Sequence, residues 1–240
     1  MGLPAWTGVL AAIVICALVG VVVELVAYRP VRRKGTSMSA LITAIAMSLL
    51  LENLAQAIPA MGPNPRVISD EIFSTAPISI GGVSVNMAAV VTIIIAAIVM
   101  AALQLFVQKT KLGRAMRAVS ENKEASTLVG INVNRTIVTT FAIGSGLAAV
   151  AALMYCAQYH TVTTTMGSML GLKAFVAAVM GGIGLIPGAM LGGIVVGIIE
   201  ALVTAYISSS LANAVVFLIL IVMLLVKPAG ILGKNVGEKV

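Results

Sequence analysis

The chain has 240 residues, of which 60% are apolar and only 10% are charged, and its formal net charge is +7. Soluble globular domains are about 45–50% apolar and about 25% charged, so this chain has too few polar side chains to cover a water-facing surface. Together with a mean hydropathy of +1.12, this excludes a soluble enzyme, a disordered protein and, despite the basic charge, a nucleic-acid-binding protein. The solvent of the chain is therefore the lipid bilayer.

Five apolar runs are long enough to cross about 30 Å of hydrocarbon, which takes roughly 20 residues. They cover about 5–27, 38–58, 83–108, 137–156 and 210–226. A further apolar stretch, 169–206, is interrupted by glycines and a proline, and its upstream arm, 169–180, would be only about 18 Å long as a helix. We therefore predict a re-entrant half-helix followed by a longer return helix. The predicted fold is an all-α polytopic membrane protein, one domain over 1–240 with about six to seven transmembrane segments, including this broken one.

Lys and Arg set the predicted orientation, because short cytoplasmic loops carry an excess of them. Four lie in 28–34 and six in 109–135, whereas the loops 59–82 and 157–168 hold one Arg and no Lys. The tail adds Lys227, Lys234 and Lys239. We predict that the basic segments are cytoplasmic, which places the N-terminus outside and the C-terminus in the cytoplasm.

The outer loop 59–82 leads into a hairpin pattern. Two alternating runs, Ile78-Ser79-Ile80 and Val83-Ser84-Val85, flank a pair of glycines, which is typical of a two-residue β-hairpin turn. We predict a small hairpin that caps the outer face or serves as a docking surface.

The inner loop 109–136 is much longer than two adjacent spans need. Its apolar residues recur at helical spacing at Leu112, Met116 and Val119. Ser120 can cap a second short helix with Glu121 in its first turn, and Gly130 can end that helix in a left-handed conformation. We predict two short helices under the membrane, whose apolar stripe rests on the lipid surface or fits a partner's groove.

The same loop carries a family resemblance. Glu124-Ala125-Ser126, three further residues and then Gly130 resemble the E-A-A-x-x-x-G pattern of the coupling loop in permeases of ABC importers, with Ser in place of the second Ala. The string from Gly113 to Arg135, the stretch 171–189 and the triplet 28–30 resemble the LivH-type branched-chain amino acid permeases. The resemblance places a group of residues at or beside the contact with an ATPase: Gly113, Arg114, Arg117, Glu124, Ala125, Ser126 and Gly130.

The resemblance implies a permease subunit in a prokaryotic cytoplasmic (inner) membrane, which translocates Leu, Ile or Val by alternating access. In that family a second permease chain pairs with the first, two ATPase subunits bind below, and a periplasmic or extracellular binding protein delivers the amino acid. ATP and Mg²⁺ belong to the ATPase subunits, so we expect neither a cofactor nor enzymatic activity here, and the sequence has no G-x-x-x-x-G-K-[ST] motif. Family members normally begin with further transmembrane segments, which we expect this chain to lack.

Polar and helix-breaking positions inside the spans are candidates for the translocation pathway, because intramembrane carboxylates and broken helices commonly mark one. They are Glu52, Asn53, Gly181, Gly182, Gly184, Pro187 and Glu200. The glycines at 184, 188 and 192, and those at 193 and 197, also favour close helix packing.

Two other charged residues of the spans have structural interpretations. We expect Glu24 to pair with Tyr28 or Arg29 in the next turn, and Lys173 to extend outward along its helix to the interface. The single histidine, His160, has no second histidine and no carboxylate within a turn, so no metal site is expected.

Alternatives from other classes stay open at this point. A permease for another amino acid, an amide or urea has nearly the same motifs. An Na⁺- or H⁺-driven secondary transporter could use the break at 181–188 together with Glu52 or Glu200, and a membrane scaffold would show no transport. Neither of the last two needs the long inner loop, which favours the importer.

Overall fold

The computed structural model describes residues 5–34, 37–58, 62, 64–67, 78–80, 83–227 and 229–233. Its helices are α1 (Ala5–Val23), α2 (Arg29–Lys34), α3 (Ser37–Ala57), α4 (Met87–Lys109), α5 (Lys111–Glu121), α6 (Lys123–Leu128), α7 (Val133–Tyr159), α8 (Met166–Gly181), α9 (Ile186–Tyr206) and α10 (Ser209–Val226). A π-helical turn, Glu24–Tyr28, joins α1 to α2. Among the described residues, six helices are long and apolar enough to cross a membrane. The prediction of an all-α polytopic fold is therefore confirmed.

Within the described residues, four short strands accompany the helices. The strands β2 (Ile78–Ile80) and β3 (Val83–Val85) pair antiparallel with Ile78 opposite Val85, which confirms the predicted hairpin. The two glycines of its turn lie outside the described residues. In addition, β1 (Arg66–Val67) pairs with β4 (Thr161–Val162), a contact that strands of two residues are too short to predict.

The chain divides into two compact units, Met1–Ala97 with Leu105–Thr165 and Ile98–Gln104 with Met166–Val240. That the two form a single domain stays a prediction.

The first unit is built on α1 packed along α7. A Cβ atom at Gly20 would overlap the Ser145 side chain and lie 3.1 Å from the Phe141 carbonyl oxygen, so only glycine permits this approach. Two turns further along the chain, the Tyr28 ring contacts the Phe141 ring of α7, with centroids 5.0 Å apart. The helix that begins at residue 5 continues through the basic segment to Lys34, whereas the sequence predicted a loop from residue 28.

The second unit is an antiparallel hairpin of α8 and α9 with α10 packed against both. Its backbones touch: a Cβ at Gly181 would overlap the Gly188 carbonyl group, and a Cβ at Gly192 would overlap the Ala177 carbonyl oxygen. Buried apolar side chains fill the space beside these contacts: Val176, Met180, Val196 and Val216. Small residues at an interface let helices approach closely in a membrane.

The helix break lies at residues 182–185, inside the predicted interruption. Gly182 and Gly184 have φ values of +109° and +92°, a region that side-chain-bearing residues rarely adopt. The upstream helix α8 has 16 residues, about 24 Å, and is longer than the predicted arm. Its re-entrant course through the bilayer stays a prediction.

The segment after α10 returns to this break. The backbone N–H groups of Ile231 and Leu232 donate to the carbonyl oxygens of Met180 and Gly181, at 2.8 and 3.2 Å. The last carbonyl groups of a helix have no partner within the helix, so this segment satisfies two groups at the end of α8.

Close packing involves only some of the glycines that the spacing predicted. Gly188 and Gly192 contact α8, whereas a Cβ at Gly193 would be 4.0 Å from the Ala177 Cβ, and Gly184 and Gly197 have open space. Within the described residues the prediction of close packing is wrong for Gly184, which lies in the break before α9, and for Gly197, whereas Gly193 is at ordinary van der Waals distance from α8.

Substituting Gly192→Ala tests the packing of the hairpin. The added methyl group has to displace the α8 backbone, so we expect a loss of about 1–3 kcal/mol of stability and a lower melting temperature in detergent. Gly197→Ala, on the same helix with open space around it, is the matched control and should be neutral or stabilising by about 0.5–1 kcal/mol. Equal melting temperatures for the two variants would contradict this interface.

Candidate functional site

The predicted coupling loop begins with a tight turn between α4 and α5. Thr110 caps α5, because its hydroxyl oxygen accepts from the Gly113 N–H at 3.0 Å while donating to the Phe106 carbonyl oxygen at 2.7 Å. Gly113 is buried, and a Cβ atom there would overlap the end of α4. The start of α5 is therefore fixed directly against α4.

The apolar stripe of α5 faces its own chain. Val119 is buried and Leu112 and Met116 are half-buried, and α5 packs against α7. The buried part of the stripe thus lies within its own chain, and a lipid surface or a partner's groove stays a prediction for the half-buried Leu112 and Met116.

The second short helix starts two residues later than predicted. Asn122 is its cap, since its side-chain oxygen accepts from the Ala125 N–H at 3.0 Å. Ser120 lies inside α5 and donates to the Arg117 carbonyl oxygen. The first turn of α6 accordingly holds Glu124 and not Glu121, which places a carboxylate at the positive end of the helix.

The end of α6 is a Schellman motif. Gly130 has φ +86°, its N–H donates to the Thr127 carbonyl oxygen, and the Ile131 N–H donates to that of Ser126, each at 3.0 Å. This pattern needs a residue that adopts positive φ, so the predicted left-handed role of Gly130 is confirmed. Ser126 is buried, and its hydroxyl donates to the Asn122 carbonyl oxygen at 2.7 Å.

The tip of the loop is exposed and partly apolar. Glu124, Ala125 and Gly130 are exposed, and beside them Leu128 and Val129 are 89% and 80% exposed. The sequence analysis did not select these two apolar residues, although they stand just before the glycine and outside the α5 stripe. Adjacent exposed apolar side chains on a polar loop are typical of a protein contact surface.

The basic residues of α5 lie away from this tip in the sequence. Arg114 and Arg117 are both exposed, and the Arg117 guanidinium donates to the Gln108 carbonyl oxygen at 3.4 Å. Their contribution to an ATPase contact stays a prediction, as does that of the other loop residues.

The hairpin of the second unit carries an ion pair that the sequence analysis missed. Lys173 Nζ on α8 donates to Glu200 Oε1 on α9 at 2.6 Å. The predicted outward extension of Lys173 is wrong, and Glu200 has a partner. Both side chains are partly exposed. An ion pair within apolar helices marks a candidate for a polar pathway.

The remaining pathway candidates belong to separate units. Glu52 is half-buried and Asn53 exposed near the end of α3, where the Asn53 amide donates to the Leu49 carbonyl oxygen at 2.7 Å. In the second unit, Gly182 and Gly184 form the break, and Pro187 stands in the first turn of α9, where its missing N–H costs no hydrogen bond.

Glu24, a third carboxylate within the predicted spans, has a different partner from the two that the sequence predicted. Glu24 pairs with Arg32, with Oε1 and Nη2 2.9 Å apart, and not with Tyr28 or Arg29. Across the part of the chain that the structure describes, no group of three or more His, Cys, Asp or Glu side chains could hold a metal ion.

The Lys173–Glu200 pair predicts a non-additive pair of substitutions. Lys173→Met or Glu200→Met alone leaves one charge without a partner, which should cost about 1–3 kcal/mol, less than a fully buried pair would lose. The double variant removes both charges and should recover most of that loss. Melting temperatures of the four proteins in one detergent measure this, and losses that simply add would contradict a direct ion pair.

Comparison with known proteins is consistent with this architecture. The family model described as the permease component of branched-chain amino acid transport systems matches residues 1–226. The high-affinity branched-chain amino acid transport system permease protein BraD of Pseudomonas aeruginosa is 40% identical over 238 residues, which cover 96% of this chain and 75% of BraD.

Two permease proteins LivH, described in the same words, are similarly close. That of Salmonella typhimurium is 40% identical over 242 residues and that of Escherichia coli K12 is 41% identical over 241 residues, and each match covers 97% of this chain and 76% of the relative. No solved structure gives a significant match. The chain belongs to the family of permease components of branched-chain amino acid transport systems.

Proposed function

We propose that the chain is the membrane-spanning permease subunit of an ATP-driven importer of branched-chain amino acids, which works by alternating access. The observation that carries this proposal is the 109–136 loop. Both of its helices contact α7, α5 with the buried side chain of Val119, and its tip presents Glu124, Leu128 and Val129 to the outside of the chain. A short rigid element with an exposed apolar tip is suited to pressing into the cleft of an ATPase subunit.

The substrate class rests on the relatives. BraD and LivH are described as parts of high-affinity branched-chain amino acid transport systems, and we extend that substrate class to this chain. In the hairpin of α8 and α9, our candidate for the polar translocation pathway is the Lys173–Glu200 pair together with the break at 182–185.

The loop also supports an orientation. It joins α4 to α7 and carries most of its charge as Lys and Arg, as does the segment at 29–34, and basic segments remain in the cytoplasm. On this basis we propose that the N-terminus lies outside, that the C-terminus lies in the cytoplasm, and that the loop lies on the side where ATP is available. ATP and Mg²⁺ would be bound by two partner ATPase subunits, with a second permease chain beside this one and an amino-acid-binding protein on the outer side.

Reversing one charge at the tip tests the coupling role. Glu124 is exposed in the first turn of α6, so Glu124→Arg should leave the membrane fold intact. We expect uptake to fall about tenfold, the effect of losing about 1.4 kcal/mol at an interface. Glu121→Arg, an exposed charge reversal at the end of α5, is the matched control. Wild-type uptake and complex yield for Glu124→Arg would refute the coupling role.

Native mass spectrometry of the complex, gently solubilised from its own membranes, tests the assembly. We expect two ATPase chains together with two permease chains. The same complex in proteoliposomes should take up leucine when ATP is present on the side of the loop. A permease that remains without ATPase chains in several mild detergents, with uptake that depends on an Na⁺ or H⁺ gradient, would refute the importer and indicate a secondary transporter.

A further inference from the structure

Glu24 is a carboxylate with no access to solvent. Its side chain is 0% exposed, and it lies within the first apolar span, Thr7–Arg32. Neither carboxylate oxygen accepts a hydrogen bond from the described residues. Oε1 does lie 2.9 Å from Arg32 Nη2, so the pair is held by charge rather than by a well-directed hydrogen bond. Buried charges are costly to desolvate, and a carboxylate inside a membrane span is by default a functional candidate.

The π-helical turn explains why Arg32 is the partner. In a uniform α-helix, residues eight positions apart lie about 80° apart around the axis. The turn Glu24–Tyr28 is wider, with the Arg29 N–H donating to the Glu24 carbonyl oxygen five residues back. In the wider turn each residue rotates the chain by a smaller angle about the helix axis, and this brings positions 24 and 32 onto one face of the helix. Such single π-turns inside α-helices occur frequently at functional sites.

Arg32 also reaches a second helix. The same Nη2 atom donates to the Asn134 side-chain oxygen at 3.1 Å. Asn134 is the second residue of α7, which begins at Val133 immediately after the 109–132 loop. Both short helices of that loop, α5 and α6, contact α7. One guanidinium nitrogen therefore joins the carboxylate of the first span to the base of the helix that carries the loop.

A purely structural contact between α1 and α7 does not need this pair. The interface already has the close approach at Gly20 and Ser145 and the ring contact of Tyr28 with Phe141. Replacing a buried ion pair by apolar residues is often neutral or stabilising. The ion pair is therefore not needed to hold α1 against α7, and the contact that reaches α7 from it is the Arg32–Asn134 hydrogen bond.

We propose that Glu24 and Arg32 are positioning residues, which with Asn134 form a joint that transmits the position of the coupling loop to the first membrane span. The proposal rests on the coupling role of the loop. It assigns these residues to the coupling of ATP hydrolysis to transport and not to recognition of the amino acid.

The test uses the reconstituted complex with its ATPase subunits and its binding protein. Glu24→Gln and Arg32→Gln each remove one charge, and Asn134→Ala removes only the hydrogen bond to Arg32 and keeps the ion pair. Thr139→Ala is the matched control. It lies on the same helix as Asn134 and removes only the hydrogen bond that the Thr139 hydroxyl donates to the Arg135 carbonyl oxygen within that helix. Leucine uptake and ATP hydrolysis are measured per assembled complex, as a function of leucine concentration.

We expect maximal uptake per complex to fall about tenfold in Glu24→Gln and Arg32→Gln, which is within the range of mutational effects on coupling between distant sites. The fall should be smaller in Asn134→Ala. The leucine concentration for half-maximal uptake should change by less than about twofold. ATP hydrolysed per leucine transported should therefore rise, which a merely structural role would not produce. A loss of complex yield with unchanged uptake per complex, in all three variants, would overturn the joint.

Amide hydrogen exchange on the chain alone separates this proposal from the importer itself. If the joint exists, Asn134→Ala and Arg32→Gln should speed exchange in the first turn of α7 relative to Thr139→Ala, and exchange in α9 should not change. Unchanged exchange in the first turn of α7 would overturn the joint. Absence of ATP-dependent uptake by the wild-type complex would instead refute the proposed function, whatever the exchange result.

Discussion

Hydrocarbon cannot form hydrogen bonds, so every backbone N–H and C=O inside the bilayer needs a partner within the protein. Two irregularities of the described helices are consistent with this constraint. The π-turn at 24–28 keeps its backbone bonded by shifting to a partner five residues back. The break at 182–185 exposes carbonyl groups at the end of α8, and the segment 229–233 folds back to donate to two of them.

The same constraint applies to charges. Glu24 and Glu200, both inside the spans, each lie next to a cation: Arg32 follows Glu24 on the same continuous helix, and Lys173 lies on the helix that faces Glu200. Their environments differ, because the Glu24 side chain has no exposed surface, whereas that of Glu200 is 35% exposed. A carboxylate without exposed surface is suited to fixing the geometry of helices, whereas an accessible carboxylate can interact with a solute in a polar pathway. Position in the fold thus separates two roles that residue type alone does not distinguish.

The features predicted correctly from the sequence are those set by local pattern. The length of the apolar runs predicted the spanning helices, the cluster of glycines predicted the helix break, and Gly130 predicted the end of α6. The wrong predictions concern contacts that local pattern does not determine. The partner of Glu24 depends on a π-turn that has no sequence signature, and that of Lys173 depends on the register of two antiparallel helices. The cap of α6 was placed at Ser120 because serine and asparagine cap helices equally well, and only the geometry selects Asn122.

In the coupling role proposed for it, the 109–136 loop combines opposite requirements in a few residues. To transmit movement, it must be rigidly attached to the membrane helices, and the buried face of α5 on α7 meets that need. To bind a partner, it must expose apolar surface, which in a separate chain favours aggregation. Confining that surface to Leu128 and Val129, next to the fixed turn at Gly130, keeps it small and holds it in one place. Since α7 begins three residues after Gly130, a displacement of this tip would move the first turn of α7 directly. The Arg32–Asn134 contact lies in that first turn.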